Sequence, residues 1–98
     1  MKALTQDRYG SPEVLVLSDV AVPEPGEGMV TIDVDAAALA LPDVFMCRGI
    51  YPLTPKVLPF TPGQEVVGRV RSVGLGVDLE VGSRVMGVTG FFLGQGGF

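Results

Sequence analysis

The chain contains no histidine and only one cysteine, Cys47, among its 98 residues. Without His there is no imidazole for acid–base catalysis, for a Ser-His-Asp triad or for metal ligation. A single Cys excludes an internal disulfide and a Cys-rich zinc cluster. These two absences remove most metal centres and most nucleophilic hydrolase sites from the functions to be considered.

Positive charge is also scarce, with 7 Lys and Arg against 11 Asp and Glu. Arg69 and Arg71 form the nearest approach to a basic cluster, which is too small for a phosphate-backbone footprint. No apolar run reaches the ~18 residues of a membrane span. The start, MKALTQDRYG, lacks the apolar stretch of a signal peptide. We therefore expect no nucleic-acid partner, no membrane partner and a cytoplasmic location.

Glycine and proline are abundant, and the 14 Gly and 8 Pro separate short apolar runs. This pattern is typical of a β domain, and the length fits one domain over residues 1–98. Strands are predicted in KALTQDR, EVLVLSDV (Glu13–Val20), MVTIDVDA, QEVVGRVRSVG and GSRVMGV (Gly82–Val88). The second strand is expected to be covered on both faces. The expected fold is mainly β, a partly open β-barrel with one short helix.

The remaining local predictions concern the helix and two of the strands. PDVFMCRG is predicted to be the helix, with Pro42 at its first position and Gly49 at its end. In MVTIDVDA, alternation places Val30, Ile32, Val34 and Ala36 on one buried face. In QEVVGRVRSVG, Val66, Gly68 and Val70 share one face and Arg69 and Arg71 point the other way. A mid-strand glycine indicates a bulge or a close backbone approach.

The order of several short motifs along the chain resembles that of a known protein family. YGSPEVL, DVAVPEPGEG, PDVFMCRGIYP, TPGQEVVGRVRSVGLGV and VGSRVMG follow one another along the chain. This order resembles the N-terminal, GroES-like catalytic domain of the medium-chain dehydrogenase/reductase superfamily, and it is most similar to the zinc-independent, zeta-crystallin-like quinone oxidoreductase branch. The resemblance covers nearly the whole chain.

The resemblance implies that no metal is bound. Gln64 stands where the zinc-dependent relatives have a His ligand, and Ala40 stands where they have a Cys ligand. Cys47 lies too far along the helix to replace that ligand. Glu65, which matches an acidic residue beside the metal, is expected to hold an Arg or a backbone amide.

The resemblance also implies a reaction. Enzymes of this branch transfer hydride from NADPH to a quinone or an enone, with the redox chemistry supplied by the cofactor. Residues matching the nicotinamide side are Tyr51, Phe45 and Asp43, and those matching the substrate cleft are Tyr51 and Gln64. Ala40 and Phe45 would make this site more apolar than is usual in the branch.

The Gly-rich turn that cradles a pyrophosphate is missing, because GLGVDL (Gly74–Leu79) has Leu at the third glycine position and precedes a strand. We therefore interpret the chain as a truncated part of such an enzyme, lacking the nucleotide-binding domain and inactive alone. NADPH would bind through that missing domain. Strand edges left open by truncation predict a homodimer or other self-association.

Two other interpretations stay open at this point. A free-standing GroES-like binding or assembly module fits the length but lacks a mobile polar loop ending in an apolar anchor. A relative that has lost catalysis and kept the fold, with a membrane-associated or trafficking role, fits the loss of polar groups at Ala40 and Phe45.

Overall fold

The computed structural model describes all 98 residues. It contains strands β1 (Lys2–Thr5), β2 (Val16–Asp19), β3 (Val30–Ala38), β4 (Glu65–Val73) and β5 (Arg84–Val88), helix α1 (Leu41–Cys47), and 3₁₀ turns at Pro12–Val14 and Phe91–Leu93. The strands form two antiparallel sheets, β1–β2 and β3–β4–β5, which do not close into a continuous barrel. The prediction of a mainly β, partly open fold with one short helix is confirmed.

β4 is the central strand of the larger sheet, and it carries the predicted alternation. Val66, Gly68 and Val70 are buried, whereas Arg69 and Arg71 are exposed. A Cβ added at Gly68 would lie 2.1 Å from the carbonyl oxygen of the facing strand's Asp33. The close backbone approach predicted for this glycine is therefore present.

β3 departs from the predicted alternation because two bulges interrupt its register with β4, at Thr31/Ile32 and Val34/Ala36. Each bulge shifts which side chains face inward. Thr31 is buried and its hydroxyl donates to the carbonyl of Pro23 over 2.8 Å. Val34 is 45% exposed, so its predicted place on a buried face was wrong.

β2 is shorter than predicted, because the chain from Pro12 to Val14 forms a 3₁₀ turn and the strand starts only at Val16. The expectation of cover on both faces was also wrong, since Val16 and Leu17 are 58% and 64% exposed. β2 has β1 as its only neighbour in a two-stranded sheet, and the exposure of Val16 and Leu17 means that no second layer covers these side chains.

The two sheets are joined by main-chain bonds from residues 60–63 and 95–98. The backbones of Gln6 and Phe60 pair as an isolated antiparallel bridge. The N–H of Phe98 donates to Pro62 over 3.0 Å, and the carbonyl of Phe98 accepts from Leu4 over 3.1 Å. The chain end thus lies between β1 and the segment that leads into β4.

Helix α1 packs beside this junction. Pro42 occupies the second helical position, one later than predicted, and Gly49 follows the helix with φ +79°. Met46 is fully buried against Phe60 and Phe91. None of the helices combines the length and the apolar character required to cross a membrane.

Candidate functional site

Asp43 joins the start of α1 to the start of β4. Its Oδ2 accepts from the backbone N–H of Ala40 over 2.9 Å, and its Oδ1 accepts from that of Gln64 over 3.2 Å. The side chain is buried, with the residue 3% exposed. A carboxylate in the first turn is favoured by the unpaired N–H groups and the helix dipole. Asp43 therefore sets the position of Gln64 relative to the helix.

The backbone of Gln64 is held from two sides, and its side chain is not. Besides its N–H bond to Asp43, its carbonyl accepts from the N–H of Thr89 over 2.7 Å. The amide Nε2 is enclosed and has no acceptor, and no hydrogen bond within the chain engages Oε1. An unpaired buried donor costs free energy and calls for an explanation such as a water or a ligand. The fold itself makes no use of this amide.

Tyr51 lies in the segment between α1 and β4, residues 49–60, which we call the site loop. Its ring packs on the cluster of Met46, Phe60 and Phe91, with the Phe91 centroid 6.3 Å away. Its carbonyl accepts from Thr54, over 3.0 Å from the N–H and 2.6 Å from the hydroxyl. The Tyr51 hydroxyl has no partner in the chain, so it is available to a ligand.

Phe45 stands on α1 two residues after Asp43 and is 38% exposed. Its carbonyl accepts from the N–H of Ile50 over 3.0 Å, which ties the helix to the start of the site loop. Phe45 is thus an accessible aromatic side chain that the core only partly covers.

Tyr9 is a contributor that the sequence reasoning missed. Its ring lies over Gly49, where an added Cβ would come within 2.8 Å of Cγ, and 6.1 Å from the Phe60 ring. Its hydroxyl donates to the carbonyl of Pro55. One side chain therefore contacts the beginning, middle and end of the site loop. The YG pair gave only a motif match, and nothing in it indicated these distant contacts.

The four predicted site residues are not all in mutual contact. Asp43 and Gln64 are bonded directly, and the carbonyl of Phe45 accepts from Ile50, the residue before Tyr51. Two hollows, of about 510 and 420 Å³, are lined by none of the four. Neither of these two hollows is therefore the candidate site.

The donor set around Gln64 does not fit a zinc ion. Ala40 has no ligating atom, and no three Cys, Asp or Glu side chains lie together. Cys47 is buried with Sγ 3.7 Å from the carbonyl oxygen of Ser11. Burial raises the pKa of the Cys47 thiol, an effect that the nearby Arg48 partly offsets, and zinc ligation requires the thiolate.

Glu65 differs from its expected structural role. It is exposed, and it takes part in none of the three ion pairs of the chain and in no side-chain hydrogen bond. The expectation that it holds an Arg or a backbone amide was wrong. Its carboxylate faces solvent on the side of β4 opposite to Val66.

Comparison with known proteins identifies the family. The model of the alcohol dehydrogenase GroES-like domain matches residues 26–97. A quinone oxidoreductase of Lama guanicoe is 44% identical over 75 residues, covering 76% of this chain and 22% of its own.

Two solved structures share the fold. The quinone oxidoreductase of Coxiella burnetii superposes with a TM-score of 0.84 at 35% identity, covering 93% of this chain and 30% of that one. The Escherichia coli quinone oxidoreductase complexed with NADPH gives 0.79 at 30% identity, covering 88% and 26%. The chain thus spans about a quarter of the length of these proteins. It belongs to the alcohol dehydrogenase GroES-like domain family, within the medium-chain dehydrogenase/reductase superfamily, and its relatives include quinone oxidoreductases.

Proposed function

We propose that this chain is the substrate-side domain of an NADPH-dependent, zinc-free oxidoreductase that reduces quinones or enones. The observation that carries the proposal is the enclosed amide of Gln64, which has no hydrogen-bond acceptor within the chain and stands where the resemblance places a zinc ligand of the zinc-dependent relatives. Tyr51 adds a hydroxyl that has no partner within the chain. The donors there suit a neutral carbonyl oxygen. The relatedness to quinone oxidoreductases supports the same class of acceptor.

Each predicted residue receives a role in this proposal. Tyr51 and Phe45 form an aromatic wall against the nicotinamide, and Tyr51 and Gln64 offer hydrogen-bond donors to the acceptor's oxygen. A hydrogen bond to that oxygen strengthens as negative charge develops on it during hydride transfer. Asp43 is buried, so we assign it to positioning: it fixes Gln64 and the start of α1 and does not touch the cofactor.

NADPH, when bound, supplies the hydride. The residues of this chain fit only its nicotinamide end, through Tyr51 and Phe45. GLGVDL lies between β4 and β5, so it is not the strand-to-helix turn that holds a pyrophosphate. We therefore expect the 98 residues to be inactive alone, with the nucleotide held by residues outside them. NADPH binding in a structural relative supports this choice of cofactor.

The test is a chimera in which these 98 residues replace the matching segment of the Escherichia coli quinone oxidoreductase. We expect the chimera to oxidise NADPH with benzoquinone or methyl vinyl ketone, and the 98-residue protein to oxidise none. Y51F and Q64A in the chimera should each lower kcat by about tenfold or more, since each removes a donor to the developing charge.

Folding and cofactor binding serve as controls for the chimera. A chimera that folds and binds NADPH but reduces neither a quinone nor an enone would refute the proposed reaction. Turnover by the 98-residue protein itself would refute the expectation that NADPH is held by residues outside it. Turnover unaffected by both Y51F and Q64A would refute the assigned roles.

A further inference from the structure

The outer face of the β3–β4–β5 sheet has an ordered chemical pattern. Directly opposed residues on antiparallel strands share a face, so the register defines three rows across the sheet. The rows are Asp33–Arg69–Arg84, Ala36–Val67–Met86 and Ala38–Glu65–Val88. One end of this face is thus basic, the centre is apolar, and the other end carries a single carboxylate.

Three of the four charged residues in these rows, Arg69, Arg84 and Glu65, form no ion pair within the chain. Arg69 and Arg84 lie directly opposite each other, an arrangement of like charges that is unfavourable in a sheet. Neither forms an ion pair, because Asp33, the nearest acidic neighbour in the row, is bound to Arg71 over 3.0 Å. At the other end Glu65 is likewise unpaired. Arg69 donates to the carbonyl of Gly82 over 3.3 Å, but neither Arg has a carboxylate partner. The two cations and the one anion therefore stand about 13 Å apart in the direction of β4 with no partner of opposite charge.

The apolar centre is open to solvent. Met86 is 81% exposed and Val88 is 70% exposed. A shallow hollow of about 420 Å³, lined mostly by apolar side chains from residues 36–38, 65–67 and 86–88, lies at this face. Exposed apolar surface with a polar border is characteristic of a surface that binds another protein.

We infer that this face is a self-complementary interface that binds a second copy of the same chain. Consider two copies packed face to face, related by a twofold axis that lies in the plane between the two sheets. If this axis runs perpendicular to the strands and passes over Val67, it places β4 of one copy over β4 of the other in the opposite direction. Glu65 of one copy then meets Arg69 of the other, and the reverse contact forms by symmetry, as a closed dimer requires. The same operation stacks Met86 against its symmetry mate over the hollow. This inference is independent of the proposed reaction.

The size of the face sets the strength of the dimer. Three strands of about five residues cover about 15 by 17 Å, which is below the area of a standard stable interface. We therefore expect a weak dimer, detectable at high protein concentration and weakened by salt because its specificity comes from exposed charges.

Two charge-reversal variants test the inference by sedimentation velocity. E65R makes the face wholly basic, and R69E/R84E makes it acidic. Each variant alone should be monomeric where the unmodified protein dimerises, because like charges then meet across the axis. An equimolar mixture should associate at least tenfold more tightly than either variant alone, because both crossed contacts become Arg–Glu pairs.

E80R is the matched control, since it makes the same Glu-to-Arg change in the turn between β4 and β5, outside the three rows. It should dimerise like the unmodified protein, and circular dichroism should show that all variants are folded. The inference is overturned if the unmodified protein is monomeric at millimolar concentration. It is also overturned if E65R associates as the unmodified protein does, or if the mixture stays monomeric while the unmodified protein dimerises.

Discussion

β4 and the site loop differ in what fixes their backbones. Along β4, main-chain pairing with β3 extends from Glu65 to Val73 with two bulges, and pairing with β5 covers Glu65 to Arg69. The site loop belongs to no strand or helix. It is held by side chains from elsewhere, with Tyr9 over Gly49 and bonded to Pro55, and by the bridge between Phe60 and Gln6.

The candidate site takes one wall from each region. Gln64 comes from the start of β4, and Tyr51 comes from the site loop. Damage to β4 should therefore act through the backbone and destabilise the whole fold, whereas damage to the loop should act through single contacts and remain local. The following predictions test this contrast, in order of decreasing effect on the free energy of unfolding.

Gly68→Ala should have the largest effect. The new Cβ would lie 2.1 Å from the backbone oxygen of Asp33 and 2.7 Å from a methyl group of Ile32, so β3 and β4 must move apart. We expect a loss of about 3 kcal/mol in urea unfolding followed by circular dichroism.

Gly87→Ala is the matched control on β5, where an added Cβ meets nothing within 4 Å. Its unfolding free energy should change by no more than about 0.5 kcal/mol. Equal losses for the two glycines would show that close approach between β3 and β4 is not what requires glycine at position 68.

Asp43→Asn should come next, with a loss of about 2 kcal/mol. The substitution places an NH₂ group against one of the two backbone N–H donors, of Ala40 or Gln64, and leaves that donor unpaired. Asp35→Asn, at the exposed bulge of β3, removes the same charge without breaking any bond. A D43N variant as stable as D35N would exclude the positioning role of Asp43.

Asp43 also shows which features of the candidate site the sequence could predict and which it could not. An acid in the first turn of a helix is a local pattern, and its place near the helix start was predictable. Its bond to Gln64, 21 positions later, depends on how α1 packs beside β4, which no local pattern specifies. The sequence therefore predicted both residues as site candidates, but it did not indicate that one positions the other.

The same limit explains why the burial pattern was predicted correctly for β4 and not for β3 and β2. β4 was predictable because its alternation runs unbroken through Val66, Gly68 and Val70. β3 alternates as cleanly in sequence, but its two bulges arise from pairing with β4 and so invert the burial of Thr31 and Val34. Val16 and Leu17 of β2 are apolar and yet exposed, because burial depends on whether another layer is present.

Tyr9→Phe should have a smaller and local effect. It keeps the ring over Gly49 and removes the hydroxyl bond to Pro55, at a cost of about 1 kcal/mol. Amide exchange should accelerate at Thr54, whose N–H donates to Tyr51, while amides of β4 keep their relative protection.

Tyr51→Phe is the control for this loop, because its hydroxyl has no partner. It should leave both the stability and the exchange of Thr54 unchanged. If Y9F instead accelerates exchange uniformly across β4 and the loop, then the loop is not an independently held unit.

Cys47, the last residue of α1 before the site loop, should give the smallest effect, and only at alkaline pH. Burial raises the pKa of its thiol above the ordinary value of 9.0, with Arg48 opposing the shift. The unfolded chain therefore loses the thiol proton at lower pH than the folded chain. The stability that follows from the neutral buried thiol is complete below pH 9.0 and is lost as pH rises through the folded-state pKa.

Unfolding free energies of the unmodified protein and C47A, measured by urea at a series of pH values, isolate this contribution because the other titrating groups cancel in the difference. The advantage of the unmodified protein over C47A should shrink as pH rises. An advantage that is constant or grows would mean that the thiolate is as well accommodated as the thiol, and that the end of α1 is as open as the loop it precedes.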